Sequence, residues 1–233
     1  MIPVETIDKS SDRRKSIVRE YAESIIIAVV LALVIRTFIV QAFKIPSGSM
    51  EDTLLIGDHI LVNKMAYGLQ IPFSDTKLDF FGLLGDPQRG DIIVFPFPRD
   101  PSRDFIKRVV GLPGERVEVR NHRVYVNGEV LKEPYVKLDE RAATYPSRYS
   151  HWGPEVVPAG RLFVLGDNRD NSADGRDWGF LDSDRVKGRA FIIYWSWDSI
   201  PPKIIWLGQI PLPNLKAIIL DGIRWNRIGK LLQ

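Results

Sequence analysis

Two hydroxyls separated by one glycine stand in the stretch Ile45-Pro46-Ser47-Gly48-Ser49-Met50. Proline holds φ at about −65° and keeps the residue before it extended, so Ile45 arrives as strand or loop. Gly48 lets the backbone turn tightly, presenting the Ser49 hydroxyl and freeing a nearby N–H. Acyl transfer needs that combination: an attacking oxygen and an oxyanion donor within one residue of each other. A Ser/Gly turn capping the segment from Met50 has the same local pattern. The rest of the chain must decide between the two.

A serine nucleophile needs a base. The three histidines, His59, His122 and His151, are far apart and lack metal-ligand spacing. His59 sits beside a Gly-Asp turn in an apolar run and reads as a strand residue; His122 and His151 fall in turn-rich segments and are expected at the surface. The absence of cysteine excludes a thiol nucleophile, a disulfide framework and a thiolate metal site. A lysine can act if it is neutral. Its ordinary pKa is about 10.4, and burial can lower it by up to about 3–5 units, because desolvation disfavours the charged form. Lys107, between Phe105-Ile106 and Val109-Val110, lies where desolvation would occur. Lys64, in Leu61-Val62-Asn63-Lys64-Met65-Ala66, is its rival. Strand alternation allows either to face solvent, so the pattern alone does not choose.

The second dense polar stretch is Gly166-Asp167-Asn168-Arg169-Asp170-Asn171-Ser172-Ala173-Asp174-Gly175-Arg176. Read as a calcium loop from Asp170, it has Ser172, Asp174 and Gly175 in place, but Leu181 stands where a bidentate Glu is needed. No metal is expected. An ion-paired loop that rigidifies a site fits better: Asp167, Asp170 and Asp174 would face Arg108, Arg169 or Arg176, and Ser172 could orient a neighbouring amine.

These groups need positioning elements. Ala22 to Phe43 is an apolar run of membrane-crossing length, which is about 20 residues. Its Ile, Leu, Val and Phe residues favour insertion by roughly 4–7 kcal/mol in all, against about 2.5–3.5 for Arg36 at a bilayer centre. Arg36 lies toward the C-terminal end and can snorkel. Lys9, Arg13, Arg14, Lys15 and Arg19 precede the run, so the positive-inside rule places the N-terminus in the cytoplasm. The run is long for a cleaved signal, and Arg36-Thr37 interrupts it, so it reads as a retained anchor. After it, short apolar runs alternate with turns: Thr53 to Val62, Ile92 to Phe95, Asp104 to Val110, Val117 to Val126, Arg161 to Gly166 and Arg189 to Trp197. Gly68 to Gly90 and residues 129–161 read as irregular excursions. No helical period follows the anchor, so the remainder is mostly β and antiparallel. Trp206 and Trp225, in the stretch from Ile204 to Gln233, suit either a surface segment or a membrane interface. The net charge of +3 in 233 residues, without basic clusters, gives no case for nucleic acid.

Taken together, the chain resembles bacterial type I signal peptidases, membrane-anchored Ser-Lys proteases that remove signal peptides from exported proteins. The likeness is general before Phe43 and dense from Phe43 to Trp197. It is carried by Ile45-Pro-Ser-Gly-Ser-Met-Glu-Asp-Thr-Leu54, Arg89-Gly-Asp-Ile-Ile-Val-Phe95, Phe105-Ile-Lys-Arg-Val-Val-Gly111 and the Gly166–Arg176 loop, in that order. The resemblance implies an antiparallel β-barrel-like catalytic domain over 44–233, with a small inserted β subdomain at about 115–161. An anchor at 21–43 and a cytoplasmic tail at 1–20 would precede it. It implies Ser49 as nucleophile and Lys107 as general base, with the Ser47 hydroxyl and Ser49 N–H as oxyanion hole. Ser172 would hold the Lys107 amine, while Asp167 with Arg108, and Asp174 with Arg176, would brace the site. Phe43, Ile45, Met50, Leu54 and Ile106 would line pockets for small residues before the scissile bond. The implied partners are signal peptides of preproteins and membrane lipid, with no cofactor. The implied location is the bacterial inner membrane, crossed once, with the catalytic domain on the outer face. Two departures are visible: Asp52 replaces a usual proline, and some relatives have two anchors. A self-cleaving repressor-type Ser-Lys protease and a non-catalytic anchored β domain that binds a partner are the alternatives.

Overall fold

A computed structural model describes residues 17–70, 77–78, 85–138, 150–198, 204–207, 210–213 and 222–232. Most of the expected tail lies outside these residues, as do parts of the expected excursions and of the C-terminal stretch.

Helix α1 (Ile17–Val34) runs on into a π-helical turn, Ile35–Ile39. The span Arg19–Ile39 is 21 residues long and apolar enough to cross a membrane. Ile25, Ile26, Ile27, Val30 and Leu31 are each more than half exposed, a continuous apolar surface that suits lipid rather than water. Val40 turns extended and opens β1 (Val40–Lys44). The helix therefore stops four residues before the expected anchor boundary at Phe43. An apolar run reads alike at a helix end and at a strand start. Here backbone pairing decides: Val40 to Lys44 lie opposite Asn63 to His59 of β2 (Asp58–Asn63).

The chain continues through β3 (Leu69–Gln70), β4 (Lys77–Leu78), β5 (Ile92–Phe97) and β6 (Asp100–Gly111). Then come β7 (Arg116–Arg120), β8 (Arg123–Val126), β9 (Glu129–Val130), β10 (His151–Val156) and β11 (Arg161–Leu165). A single-turn helix α2 (Gly175–Trp178), β12 (Leu181–Asp182), β13 (Gly188–Ser196), and the pair β14 (Ile204–Leu207) and β15 (Ile210–Pro213) complete it. Seven strands form one antiparallel sheet in the order β1-β2-β13-β5-β6-β11-β12. A second sheet, β10-β7-β8-β9, is inserted between β6 and β11. The large sheet curls on itself. Ser49, just beyond edge strand β1, accepts from the backbone of Asn168, just beyond β11, at 3.2 Å, although five places separate the two strands.

Strand alternation explains the core. In β5, Ile92 and Val94 face one apolar cluster with Ile60, Val62 and Ile193, while Ile93 and Phe95 face a second with Val109, Leu162 and Val164. Buried on both faces, this strand has the unbroken run Ile-Ile-Val-Phe. In β11, Phe163 and Leu165 turn the other way, into a third cluster with Val117, Val119 and Val124 of the small sheet. The small sheet is thus fastened to the large one by apolar packing, with Trp152 stacked on Phe163 at 4.1 Å between ring centres.

Candidate active site

The stretch after β1 forms a tight loop tied at its base. Ile45 N–H donates to Asp58 O at 2.8 Å, and Gly57 N–H donates back to Ile45 O at 3.0 Å. Glu51 N–H donates to Gly48 O at 3.2 Å, closing a turn around Ser49. A Cβ on Gly48 would meet the Glu51 carboxylate at 2.7 Å, so a larger residue here would have to displace the Glu51 side chain. Among the described residues, the Ser49 N–H and the Ser47 hydroxyl donate to no group.

Strand β6 brings in the amine. Ile93 of β5 lies opposite Lys107, which is buried at 3% exposure. Its Nζ lies 2.8 Å from Ser49 Oγ and donates to Ile106 O at 3.0 Å. Burial drives the Lys107 amine down to about 8; Asp174 and Asp167 pull it back up, and Arg176 pushes it further down. Near neutral pH a useful fraction of such an amine is uncharged and can take a proton. Lys64, the rival, points elsewhere: its amine donates to Thr37 O at the end of the helical span. His59 is a strand residue whose ring meets Tyr194 edge-on.

Two arginine–carboxylate pairs stand behind the amine. Arg108, adjacent to Lys107 and pointing the other way from the strand, is bidentate to Asp167, with Nε–Oδ1 at 2.9 Å and Nη2–Oδ2 at 2.8 Å. Both are almost fully buried. Thr53 Oγ1 donates to the same carboxylate at 2.6 Å, and the Arg108 guanidinium lies 3.8 Å over the Tyr135 ring. Arg176 is bidentate to Asp174 at 2.9 and 2.8 Å, and Asp174 also accepts from Gly166 N–H at 3.1 Å. Arg169 pairs with Glu133, and Asp170 Oδ1 lies 3.3 Å from His122 Nδ1. His122, expected at the surface, is drawn in by that contact; His151 is exposed. With these carboxylates spoken for by arginines, no described group of three or more His, Asp or Glu is placed for a metal.

Ser49 and Lys107 open into a groove of about 620 Å³. Phe43, Ile45 and Met50 line it from the β1 side, Phe105 and Ile106 from β6, and Asn171 and Ala173 from the Gly166–Arg176 loop. Leu54 does not line it; fully buried, it packs behind Ile45 and Met50 in the first core cluster. Ser172 is 2% exposed, and its Oγ has no hydrogen-bond partner. The expected bond to Lys107 is not formed: the amine is taken up by Ser49 and Ile106, and Ser172 Oγ packs against Gly166, where a Cβ would meet it at 2.2 Å.

The family model for signal peptidase, peptidase S26, matches residues 18–195. The chain belongs to the S26 signal peptidase family. It is 40% identical to the signal peptidase I of Pseudomonas aeruginosa over 209 residues, covering 76% of this chain and 72% of that one. It is 39% identical to the probable signal peptidase I-2 of Synechocystis over 197 residues, covering 82% and 79%. With the signal peptidase I of Aquifex aeolicus the identity is 33%, over 92% of this chain and 98% of that one.

In this S26 peptidase, several residues at the site escaped the sequence reading. Thr53 joins the serine loop to the Asp167–Arg108 pair. Arg227, near the C-terminus, is bonded to buried Asp58 and donates to Thr53 O at 2.8 Å. Asn168 bonds both carbonyls that flank the Ser49 Cα and N–H. No sequence pattern links Arg227 to a loop some 170 positions away. Asn168 lies in the Gly166–Arg176 loop, where an uncharged amide among charged neighbours carries no sequence signal of its contact with the serine loop.

Proposed function

We propose that this chain is a membrane-anchored serine endopeptidase that removes signal peptides from exported preproteins through a Ser49–Lys107 dyad and an acyl-enzyme. The observation that carries it is the buried Lys107 Nζ at 2.8 Å from Ser49 Oγ on the floor of an open groove. The family membership supports the substrate class.

The groove suits an extended peptide. Strand β1 is the edge of the large sheet, and residues 103–106 of β6 lie beyond its pairing with β11, which covers Arg108, Val109 and Gly111. Four antiparallel steps separate β1 from β6, so both run the same way, toward the dyad. A peptide laid between them gains main-chain hydrogen bonds on either side. Its side chains alternate toward Phe43, Ile45, Met50 and Ile106, which leave room for small residues before the cut; Leu54 backs that wall.

Neutral Lys107 takes the Ser49 proton as Oγ attacks the carbonyl carbon. The Ser49 N–H and Ser47 hydroxyl hold the oxyanion; loss of one such donor typically costs about 10²–10³ in rate. The Lys107 ammonium gives its proton to the leaving amine, and the mature protein departs. Water deprotonated by Lys107 then releases the signal peptide from Ser49. Ser172, buried beside Ser49 with a free hydroxyl, is poised to receive the amine whenever it turns from Ser49. Asp167 with Arg108, and Asp174 with Arg176, keep the second wall rigid.

The helical span would cross the inner membrane once, with residues 1–20 in the cytoplasm and 44–233 on the outer face, the β7–β10 sheet forming an inserted subdomain near 115–161. Ser49 follows the span closely in sequence, so the Ser49–Lys107 pair would work near the lipid surface, where signal-peptide ends emerge. The test is incubation of the detergent-solubilised chain with a preprotein. Wild type should shift the preprotein to mature size, and Ser49→Ala should leave it intact; cleavage by Ser49→Ala refutes the dyad.

A further inference from the structure

Asn168 is the residue that touches both ends of the nucleophile's backbone. Its Nδ2 donates to Gly48 O at 3.0 Å, and its N–H donates to Ser49 O at 3.2 Å. The side-chain amide faces a second acceptor, Glu51 Oε2 at 3.5 Å, so the NH2 end, not the carbonyl end, must point at the loop. Asn168 is itself held fast. Lys137 N–H donates to Asp167 O at 2.9 Å and Arg169 N–H to Lys137 O at 3.1 Å, so two backbone bonds bracket it. Asn171 N–H donates to its carbonyl at 3.1 Å, and it is 7% exposed.

A trans peptide is planar, with its C=O and N–H on opposite sides. Fixing the direction of Gly48 O therefore fixes the direction of the Ser49 N–H. Two donors, Glu51 N–H and Asn168 Nδ2, fill the lone pairs of Gly48 O from the loop side. Asn168 does not line the groove, whereas Gly48 and Ser49 do. The carbonyl is thus held from behind, and the N–H that leaves the opposite side of the plane has no partner among the described residues. Glycine at 48 makes this restraint necessary, because its ψ is the least restricted of any residue and the peptide after it can rotate.

We infer that Asn168 is a positioning residue of the oxyanion hole, which locks the Gly48–Ser49 peptide so that the Ser49 N–H aims at the scissile carbonyl oxygen. The inference rests on the Ser49–Lys107 reading above. An oxyanion donor stabilises charge that exists only after attack, so its misalignment lowers kcat and leaves ground-state binding alone. Glu51 N–H still holds the carbonyl when Asn168 is altered, so the loss should stay below that of a deleted donor, at about 10–100-fold.

The test uses the full detergent-solubilised chain and a preprotein-derived peptide, with Asn168→Asp, which keeps the size and loses the donor, and Asn168→Ala, which adds no charge beside Glu51. Each is assayed well below its own melting temperature. A peptide aldehyde ending at the cleavage position, which forms a tetrahedral adduct with Ser49, and the free cleaved peptide serve as paired inhibitors. Expected are a kcat lower by about 10–100-fold, a KM within about 2-fold, aldehyde affinity falling in step with kcat/KM, and unchanged affinity for the cleaved peptide. A kcat within 2-fold of wild type in either variant overturns the inference. So does a loss borne by KM, or an equal fall in affinity for both inhibitors. Activity in Ser49→Ala, run alongside, would overturn the dyad reading instead.

Discussion

Lys107 and Lys64 each lie in or beside a strand in a segment rich in apolar residues, and each has its amine turned onto a backbone carbonyl. Lys107 donates to Ile106 O and Lys64 to Thr37 O. Burial lowers both amines below the ordinary lysine range, with Lys187 adding to the effect at Lys64. What separates them is the third partner. Lys107 has a serine hydroxyl at 2.8 Å, a groove in front and two buried ion pairs behind; Lys64 sits against the end of the helical span. A lowered pKa makes a base available, but only a reacting oxygen within reach gives it work.

Removing each lysine sharpens the contrast. Lys107→Met should lower kcat/KM by at least about 10²–10⁴-fold, the usual worth of a general base. The same change should raise the melting temperature by a few degrees, because a buried ammonium is exchanged for an apolar chain of like length. A melting temperature that falls steeply would show the lysine to be structural. Next in size is pH. In the proposed mechanism Lys107 acts as the neutral amine, so kcat/KM should fall about tenfold per unit as pH drops below about 8, roughly 100-fold by pH 6. The fold responds in the same direction. The Lys107 amine titrates at about 8 in the folded chain and about 10.4 unfolded, so the unfolded state binds more protons between those values. Stability should therefore rise with pH across that window, as read by chemical denaturation.

Asp167→Asn tests the ion pair behind Lys107. Leaving Arg108 buried without its carboxylate should destabilise the fold by about 3–5 kcal/mol, a drop of roughly 10 °C or more in melting temperature. Asp167 also holds the amine's pKa up, so in the surviving folded fraction the acid limb should move to lower pH. The smallest effect is expected for Lys64→Gln, with kcat/KM within about 2-fold of wild type. A large loss there would erase the distinction between the two lysines.

Much of the fold is legible in the sequence. The apolar run announced the helical span, alternation and turn residues announced the strands, and the unbroken Ile92–Phe95 run announced a strand, which the fold buries on both faces. The turn at Gly48 and Ser49 was visible, but its residues alone suited a reactive serine and a capping turn alike. Lys107 was singled out over Lys64 only by the family resemblance, because which face of a strand points inward depends on neighbours distant in sequence. The pairings in the Gly166–Arg176 loop were open for the same reason: Asp170 went to His122, and Arg169 to Glu133, outside the motif. Arg227, reaching Asp58 and Thr53 from the far end of the chain, carries no local signature at all. The helix end was misplaced because Val40 to Phe43 suit lipid and sheet equally well.

The most direct measurement is the titration of Lys107 itself, followed by NMR of 13C-labelled lysine in the solubilised chain and assigned by the signal lost in Lys107→Met. A neutral base poised beside Ser49 predicts an inflection at about pH 8. An amine that titrates near the ordinary value of about 10.4 would contradict it, for Lys107 would then stay charged wherever the enzyme works.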